Sequence, residues 1–128
     1  MRRFSIAGYW SSAKVTSADQ ARFFRRLDEV TPRRHRRYAR NLLSSVVPEQ
    51  RWGIPAAAPP GWTVFFKGGW LRNLAHQAAL LEGEGHRVSL AILTDRDPSQ
   101  TYGFETVHGV AVRLLADPPS TPQPPSSQ

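Results

Sequence analysis

The stretch Val64-Phe65-Phe66-Lys67-Gly68-Gly69-Trp70-Leu71, written VFFKGGWL, decides the fold that we predict for this chain of 128 residues. Its start, with the preceding Trp62 and Thr63, is rich in aromatic and β-branched residues and predicts a strand over residues 62–66. Lysine is scarce in the chain, because Lys14 is the only other one against fifteen arginines. The lysine and the two glycines that follow the apolar run therefore need an explanation.

Two interpretations of Lys67-Gly68-Gly69 stay open on residue types alone. In the first, a solvated lysine ends the strand and the glycine pair makes a bend. In the second, the strand end is a binding wall: Lys67 offers a fixed positive charge to a substrate carboxylate, and a glycine lets a ligand lie against the backbone. The backbone N–H of Trp70 would then point at a developing oxyanion.

Periodicity downstream of this stretch predicts two more strands and a helix. Apolar runs over residues 74–81 and 87–93 read as strands, and Glu82-Gly83-Glu84-Gly85 between them is a good hairpin connection. A final helix is predicted over residues 101–116. Its apolar face is predicted to comprise Phe104, Val107, Ala111 and Leu114.

Two helices are predicted upstream, over residues 15–30 and 31–47, followed by a proline-rich connection to Gly61. Ser17 and Gln20 have capping-box spacing, and Thr31 and Pro32 suit the start of the second helix. The predicted buried positions are Phe23, Phe24, Leu27 and Val30 in the first helix and Ala39, Leu42, Leu43, Val46 and Val47 in the second. The fold class is therefore α+β, with two helices, three antiparallel strands and a C-terminal helix on the sheet.

Composition limits the chain to one small domain without cysteine chemistry. There is no cysteine, which excludes disulfides, thiolate nucleophiles and cysteine-based zinc sites. We expect an N-terminal segment over residues 1–16, a domain over residues 17–116 and a disordered Pro/Ser-rich tail over residues 117–128. The chain has no apolar run of membrane-spanning length and no convincing signal peptide at its start. Its compartment is left open.

Positive charge is concentrated in the first part of the chain. Residues 1–51 hold twelve Lys and Arg against four Asp and Glu, whereas residues 52–128 hold five against six. Five of these arginines are Arg33, Arg34, Arg36, Arg37 and Arg40. They suggest a small basic module that binds nucleic acid or protein, but a solvated helix face in an arginine-rich chain is the interpretation we favour.

Two further patterns are weak. The histidines, which are His35, His76, His86 and His108, have no metal-ligand spacing, although His76 and His86 can face each other across the hairpin. Ser11 and Lys14 have the S-x-x-K spacing that pairs a nucleophile with a base one helical turn away. We take that pair for a turn before the first helix and predict neither a metal nor a cofactor.

The ordered segments resemble the C-terminal end of class A β-lactamase-like serine hydrolases, and more narrowly actinobacterial β-lactamase-related proteins. The resemblance covers about residues 8–116. The segments that carry it are FFKGGWL (65–71), LAHQAALLEG (74–83), HRVSLAILTD (86–95) and DPSQTYGFETVHGVAVRLL (97–115). They are preceded by the helical stretch from Thr16 and by QRWGIP (50–55). FFKGGWL lies where that family has its K-T-G strand.

The resemblance implies a partial β-lactamase/transpeptidase-like domain. Lys67 matches the K-T-G lysine, Gly68 and Gly69 complete the motif, and Trp70 supplies the oxyanion-hole N–H. Gly68 stands where the family has a hydroxyl residue. No S-D-N occurs, and Ser11 lies far downstream of the family's nucleophile, so we assign no nucleophile to it.

The resemblance further implies a truncated serine hydrolase that is inactive alone. The nucleophile half would come in cis or in trans, as in a split hydrolase, and a small-molecule substrate would bind only once the site is completed. We also expect the sheet to lack the elements that cover its faces. Family members are commonly exported.

Overall fold

A computed structural model describes residues 14–116 of the chain. The helices are α1 (Ser17–Arg25), α2 (Leu27–Val30), α3 (Arg36–Ser44), α4 (Ile54–Ala57) and α5 (Gln100–Ala116), and the strands are β1 (Thr63–Leu71), β2 (Leu74–Gly83) and β3 (His86–Leu93). Short 3-10 turns occupy Arg33–His35 and Pro48–Gln50. The predicted tail and most of the predicted N-terminal segment lie outside the described residues, so those boundaries stay predictions.

The three strands form one antiparallel sheet in the order β1-β2-β3. β1 pairs with β2 from Thr63 opposite Glu82 to Leu71 opposite Leu74. This arrangement confirms the predicted α+β fold with three antiparallel strands and a C-terminal helix. β1 is longer than the predicted strand, because it continues through both glycines.

The bend proposed for Gly68-Gly69 is therefore wrong. Gly68 is opposite Gln77 and Gly69 is opposite His76, so both belong to the ladder. Neither has a positive φ. The tight turn lies instead at Glu84-Gly85, the two-residue connection between β2 and β3. There φ is 52° at Glu84 and 78° at Gly85. Two positive φ values are the requirement of a type I′ hairpin turn.

One face of the sheet packs against α5 and α4. Its buried residues are Ile54, Val64, Phe66, Ala75, Ala79, Leu81, Leu90, Ile92, Val107, Ala111 and Leu115. The predicted face of the last helix is confirmed at Val107 and Ala111. It is wrong at Leu114, which is exposed, since the helix buries Gly103, Val107, Ala111 and Leu115 at intervals of four.

The other face is covered by the upstream helices. Phe24 of α1 and Leu27 of α2 are buried against the strand residues Phe65, Ala78 and Leu80. The expectation that the sheet lacks covering elements is therefore wrong for this face, because α1 contacts β2 and β3 and α3 contacts β1. An apolar residue on each side of every strand is what two covered faces require.

The upstream helices differ from the prediction in their bounds, their cap and their buried positions. The predicted first helix is divided at Arg26, and the predicted second helix is α-helical only over Arg36–Ser44. The N-cap of α1 is Thr16, whose hydroxyl accepts a hydrogen bond from the Asp19 N–H at 3.1 Å, so the cap lies one residue before Ser17. No residue of α3 is buried. Four predicted core positions are exposed, namely Phe23, Val30, Leu42 and Val47. No helix among the described residues is long and apolar enough to cross a membrane.

Candidate functional site

Lys67 lies in the middle of β1, opposite Ala78 of β2, and its side chain is exposed. Its ammonium group donates a hydrogen bond to the Gly68 carbonyl. Because side chains alternate along a strand, Lys67 belongs to the face that also carries Phe65, the face covered by α1. An apolar strand thus presents one cation to the space between the sheet and α1.

Gly69 and His76 complete this part of the face. The two residues are opposite each other, and Lys67 is the diagonal neighbour of His76, two positions along the ladder. A Cβ at Gly69 would meet nothing within 4 Å, so the glycine leaves open space between the two polar side chains. The His76 Nε2 atom lies 3.2 Å from the Thr94 carbonyl oxygen, a contact that ties the ring to the loop after β3.

These groups line an open cleft of about 460 Å³. The wall formed by α1, α2 and the residues before them is mostly apolar and includes Val15, Phe23, Phe24 and Leu27, with the polar Gln20. The sheet wall includes Lys67, Gly68, Gly69 and His76. A cation and an imidazole at one wall of an apolar cleft suit a ligand with an anionic group and an apolar body.

The side chain of Trp70 lies on the opposite face of the sheet. Its ring meets Trp52 edge-on at 5.9 Å and Phe104 edge-on at 6.0 Å, while Trp52 and Phe104 are stacked at 4.0 Å. A Cβ at Gly68 would also point to this face, 3.4 Å from the Trp52 ring. Trp70 and Gly68 can therefore contribute to the cleft only through their backbone.

Gln77 supports this strand pair from the opposite face of the sheet, and the sequence analysis did not identify it. Its side chain is fully buried; Oε1 accepts a hydrogen bond from the Ile54 N–H at 2.7 Å, and Nε2 donates to the Trp52 carbonyl at 2.6 Å. Gly53 between those two residues has φ of 71°, and a Cβ there would be 2.4 Å from Gln77 Oε1. The signal that could have revealed it was a polar residue whose strand neighbours on the same face, Ala75 and Ala79, are apolar.

The four histidines occupy separate environments, and the pairing of His76 with His86 is wrong. His76 is opposite Leu93 at one end of the β2–β3 ladder, and His86 is opposite Gly83 at the other. His86 stacks against Trp62, His35 accepts a hydrogen bond from Arg34, and His108 lies 3.4 Å from the Gly53 carbonyl oxygen. Within residues 14–116, no three His, Asp or Glu side chains cluster as a metal site would need.

The S-x-x-K pair is only half described. Lys14 is exposed, and Ser11 lies outside the described residues. The interpretation of this pair as a turn before the first helix therefore stays a prediction.

Outside the cleft, the strongest electrostatic feature is Arg40. Its guanidinium donates two hydrogen bonds to Asp28, both at 2.9 Å, and one to Glu82 at 2.7 Å. The hydrogen bond from Arg40 lowers the pKa of the Asp28 carboxyl, and both carboxylates raise the pKa of Arg40. This group joins α2 and α3 to the end of β2 and has a structural role.

Comparison with known proteins gives a consistent family and fold. Residues 3–116 match the model of the Beta-lactamase enzyme family. No curated protein matches the chain. Among solved structures, a class A β-lactamase from Mycobacterium abscessus is 26% identical, with a TM-score of 0.69, over 79% of this chain and 40% of that one.

Two further structures share the fold at lower identity. A β-lactamase from Sphaerobacter thermophilus is 19% identical, with a TM-score of 0.63, over 77% of this chain and 38% of that one. A variant of PBP-A, solved as an acyl-enzyme complex with penicillin G, is 18% identical, with a TM-score of 0.68, over the same shares of the two chains. The chain thus spans about two fifths of the length of the structures it matches.

Proposed function

Because this chain belongs to the Beta-lactamase enzyme family, we propose that it forms the substrate-binding wall of a serine hydrolase whose nucleophile lies outside these 128 residues. The chemistry of the completed enzyme is serine acyl transfer, with hydrolysis of a β-lactam or a D-alanyl-peptide-like substrate. The observation that supports the proposal most directly is the placement of Lys67, Gly69 and His76 on one sheet face in one cleft.

Lys67 has the role of binding a substrate carboxylate. Its ammonium is a positive charge beside an apolar wall, and a charge-assisted hydrogen bond to a carboxylate is roughly twice as strong as one between neutral groups. His76, across from Gly69, adds a second hydrogen-bonding group to the same space. Gly69 leaves the room between them that a bound ligand needs.

Gly68 and Trp70 act through their backbone. The Trp70 N–H stabilises the oxyanion that develops when the substrate carbonyl is attacked. Gly68 offers no hydroxyl to the substrate, so this site lacks one hydrogen bond that the K-T-G motif supplies. We therefore expect a substrate preference different from that of K-T-G enzymes.

The missing nucleophile is the reason to expect no activity from the chain alone. The sequence has no S-D-N, and Ser11 with Lys14 directly precedes the first helix. We propose that the nucleophile half precedes Met1 in a longer product or belongs to a separate chain. The share of its relatives that the chain spans supports both arrangements.

The mass of the native product distinguishes these arrangements. Protein containing the peptide GGWL would be isolated from the host and its intact mass measured. A product much larger than 14.4 kDa, with peptides upstream of Met1, supports a nucleophile half in cis. A stable product of 14.4 kDa that copurifies with an S-x-x-K protein supports one in trans; such a product without a partner contradicts the proposal.

A penicillin-type reporter tests the chemistry. Intact mass spectrometry should detect no covalent adduct on the purified 128-residue chain, whereas the completed enzyme should become acylated.

In the completed enzyme, Lys67→Ala should lower kcat/KM roughly 10- to 100-fold, because one charge-assisted hydrogen bond to the substrate is lost. Gly69→Ala should also lower it, because its methyl group enters open cleft space, while Arg96→Ala in an exposed loop should not. An adduct on the chain alone that is lost in Ser11→Ala contradicts the proposal.

A further inference from the structure

We propose that the exposed side of the segment leading into and through α3 binds the surface of anionic phospholipid membranes. This α3 surface consists of Arg33, Arg34, Arg37, Tyr38 and Leu42, all of them exposed. It takes no part in the cleft at Lys67. The inference is therefore independent of the proposed function.

The positive charge of the α3 surface is available to a partner. Arg40 is neutralised by Asp28 and Glu82. By contrast, among residues 14–116 no carboxylate forms an ion pair with Arg33, Arg34 or Arg37. Residues 33–44 contain no acidic side chain, so the field of these guanidinium groups is not offset locally.

The same surface exposes apolar side chains. Tyr38 is 66% exposed and Leu42 is 54% exposed, and their spacing of four residues places them on one side of α3. Exposed aromatic and aliphatic side chains next to arginines are typical of helices that lie in a membrane interface. The arginines meet headgroup phosphates while Tyr38 and Leu42 enter the headgroup boundary.

A lipid surface fits this combination better than nucleic acid does. Both offer phosphates to Arg33, Arg34 and Arg37, and both would bind less tightly at high salt. Only the lipid surface gains from burying Leu42, since an aliphatic side chain contributes nothing to a phosphate contact. The two partners therefore differ in their dependence on Leu42.

Vesicle co-flotation tests the proposal with the full 128-residue chain. We expect the chain to bind vesicles of phosphatidylcholine mixed with phosphatidylglycerol, and not vesicles of phosphatidylcholine alone. Neutralising each arginine should weaken binding roughly fivefold at low salt, so Arg34→Gln with Arg37→Gln should weaken it on the order of 25-fold. Leu42→Ser should also weaken it.

Matched variants on α5 and its preceding loop provide the controls. Arg96→Gln with Arg113→Gln removes the same charge from exposed positions elsewhere. Leu114→Ser changes an exposed leucine, at 53%, two residues before the end of another helix, as Leu42 is in α3. Both controls should keep vesicle binding, and circular dichroism should show all variants folded to the same extent.

Three outcomes would overturn the proposal. The first is no binding to anionic vesicles at low salt. The second is an equal loss in the α3 and control variants, which would reduce the effect to net charge. The third is binding to a duplex oligonucleotide at the vesicle affinity with no dependence on Leu42, which would assign the surface to nucleic acid.

Discussion

Gln77 shows how one buried polar residue positions a candidate site. Its amide holds the Ile54 N–H and the Trp52 carbonyl, two backbone groups that the sheet ladder cannot satisfy. The side chain also lies 3.7 Å from where a Gly68 Cβ would be, directly under the strand that carries Lys67. The segment before β1 is therefore fixed to β2, next to the strand that lines the cleft.

Replacing Gln77 by leucine should be strongly destabilising. The variant keeps the volume but leaves a buried N–H and a buried carbonyl without partners, each costing about 1–3 kcal/mol. We expect the free energy of unfolding to fall by roughly 2–4 kcal/mol in urea denaturation. Gln50→Leu, at an exposed position, should change it by less than about 0.5 kcal/mol. Equal effects of the two substitutions would show that the Gln77 hydrogen bonds do not stabilise the fold.

Residue types alone predicted part of the candidate site. Lys67 was visible because lysine is scarce and interrupts an apolar run. His76 was visible only as a metal-ligand candidate, because its position opposite Gly69 depends on the register of two strands, and register is a property of the pairing. The hydrogen bonds of Gln77 also depend on tertiary structure, since its partners are more than twenty residues away in the sequence.

At the level of elements, α5 depends on a close approach to the loop that precedes it. Gly103 is buried, and a Cβ there would lie 2.4 Å from Asp97 Oδ2 and 3.2 Å from Ala75 Cβ. The same Asp97 carboxylate accepts a hydrogen bond from the Thr94 hydroxyl, so it is not free to move away. Gly109 in the same helix is exposed and meets nothing within 4 Å.

Alanine at these two glycines should have opposite effects on stability. Gly103→Ala forces the loop to shift and should lower the free energy of unfolding by about 1–3 kcal/mol. Gly109→Ala removes a flexible helix residue without a clash and should raise it by about 0.5–1 kcal/mol. Urea denaturation of the two variants measures both signs. A gain in stability for Gly103→Ala would mean that α5 does not pack this closely.

Element types were predictable from periodicity, whereas element ends were not. The predicted strands and the last helix are present because their apolar patterns have the right period. The end of β1 was misplaced since glycine usually weakens a strand, and here pairing with β2 overrides that tendency. The cap of α1 was misplaced by one residue because threonine and serine are both good caps and only geometry separates them.

For the whole molecule, the two covered faces of the sheet explain how this part of the family's fold holds together. Apolar residues point to both sides of β1 and β2. The helices α1 to α3 cover one side, and α4 and α5 cover the other. The group of Arg40, Asp28 and Glu82 then joins the upstream helices to β2, with the Arg40 guanidinium also over the Phe65 ring at 4.6 Å. Stability of the molecule should therefore depend on the ionisation of these carboxylates.

This dependence predicts a loss of stability at low pH that requires Asp28. The Arg40 hydrogen bond lowers the pKa of Asp28 in the folded chain, whereas in the unfolded chain the pKa returns to about 3.9. The unfolded state then binds more protons between these two values, so stability rises with pH across that range. The contribution of Asp28 is present above pH of about 4 and is lost as the pH falls through the folded pKa.

Asp28→Asn removes this contribution at all pH values. We expect its free energy of unfolding to be lower than that of the native sequence at neutral pH, by about 1 kcal/mol because the pair is partly exposed. As the pH falls from about 4 through the lowered pKa of folded Asp28, the two curves should converge, since protonated Asp28 and asparagine are both uncharged. Asp95→Asn, at an exposed carboxylate in the loop after β3, should follow the native curve throughout. The free energies of unfolding of Asp28→Asn and the native sequence could instead differ by the same amount at every pH. That result would show that the charge of Asp28 does not contribute to its interaction with Arg40.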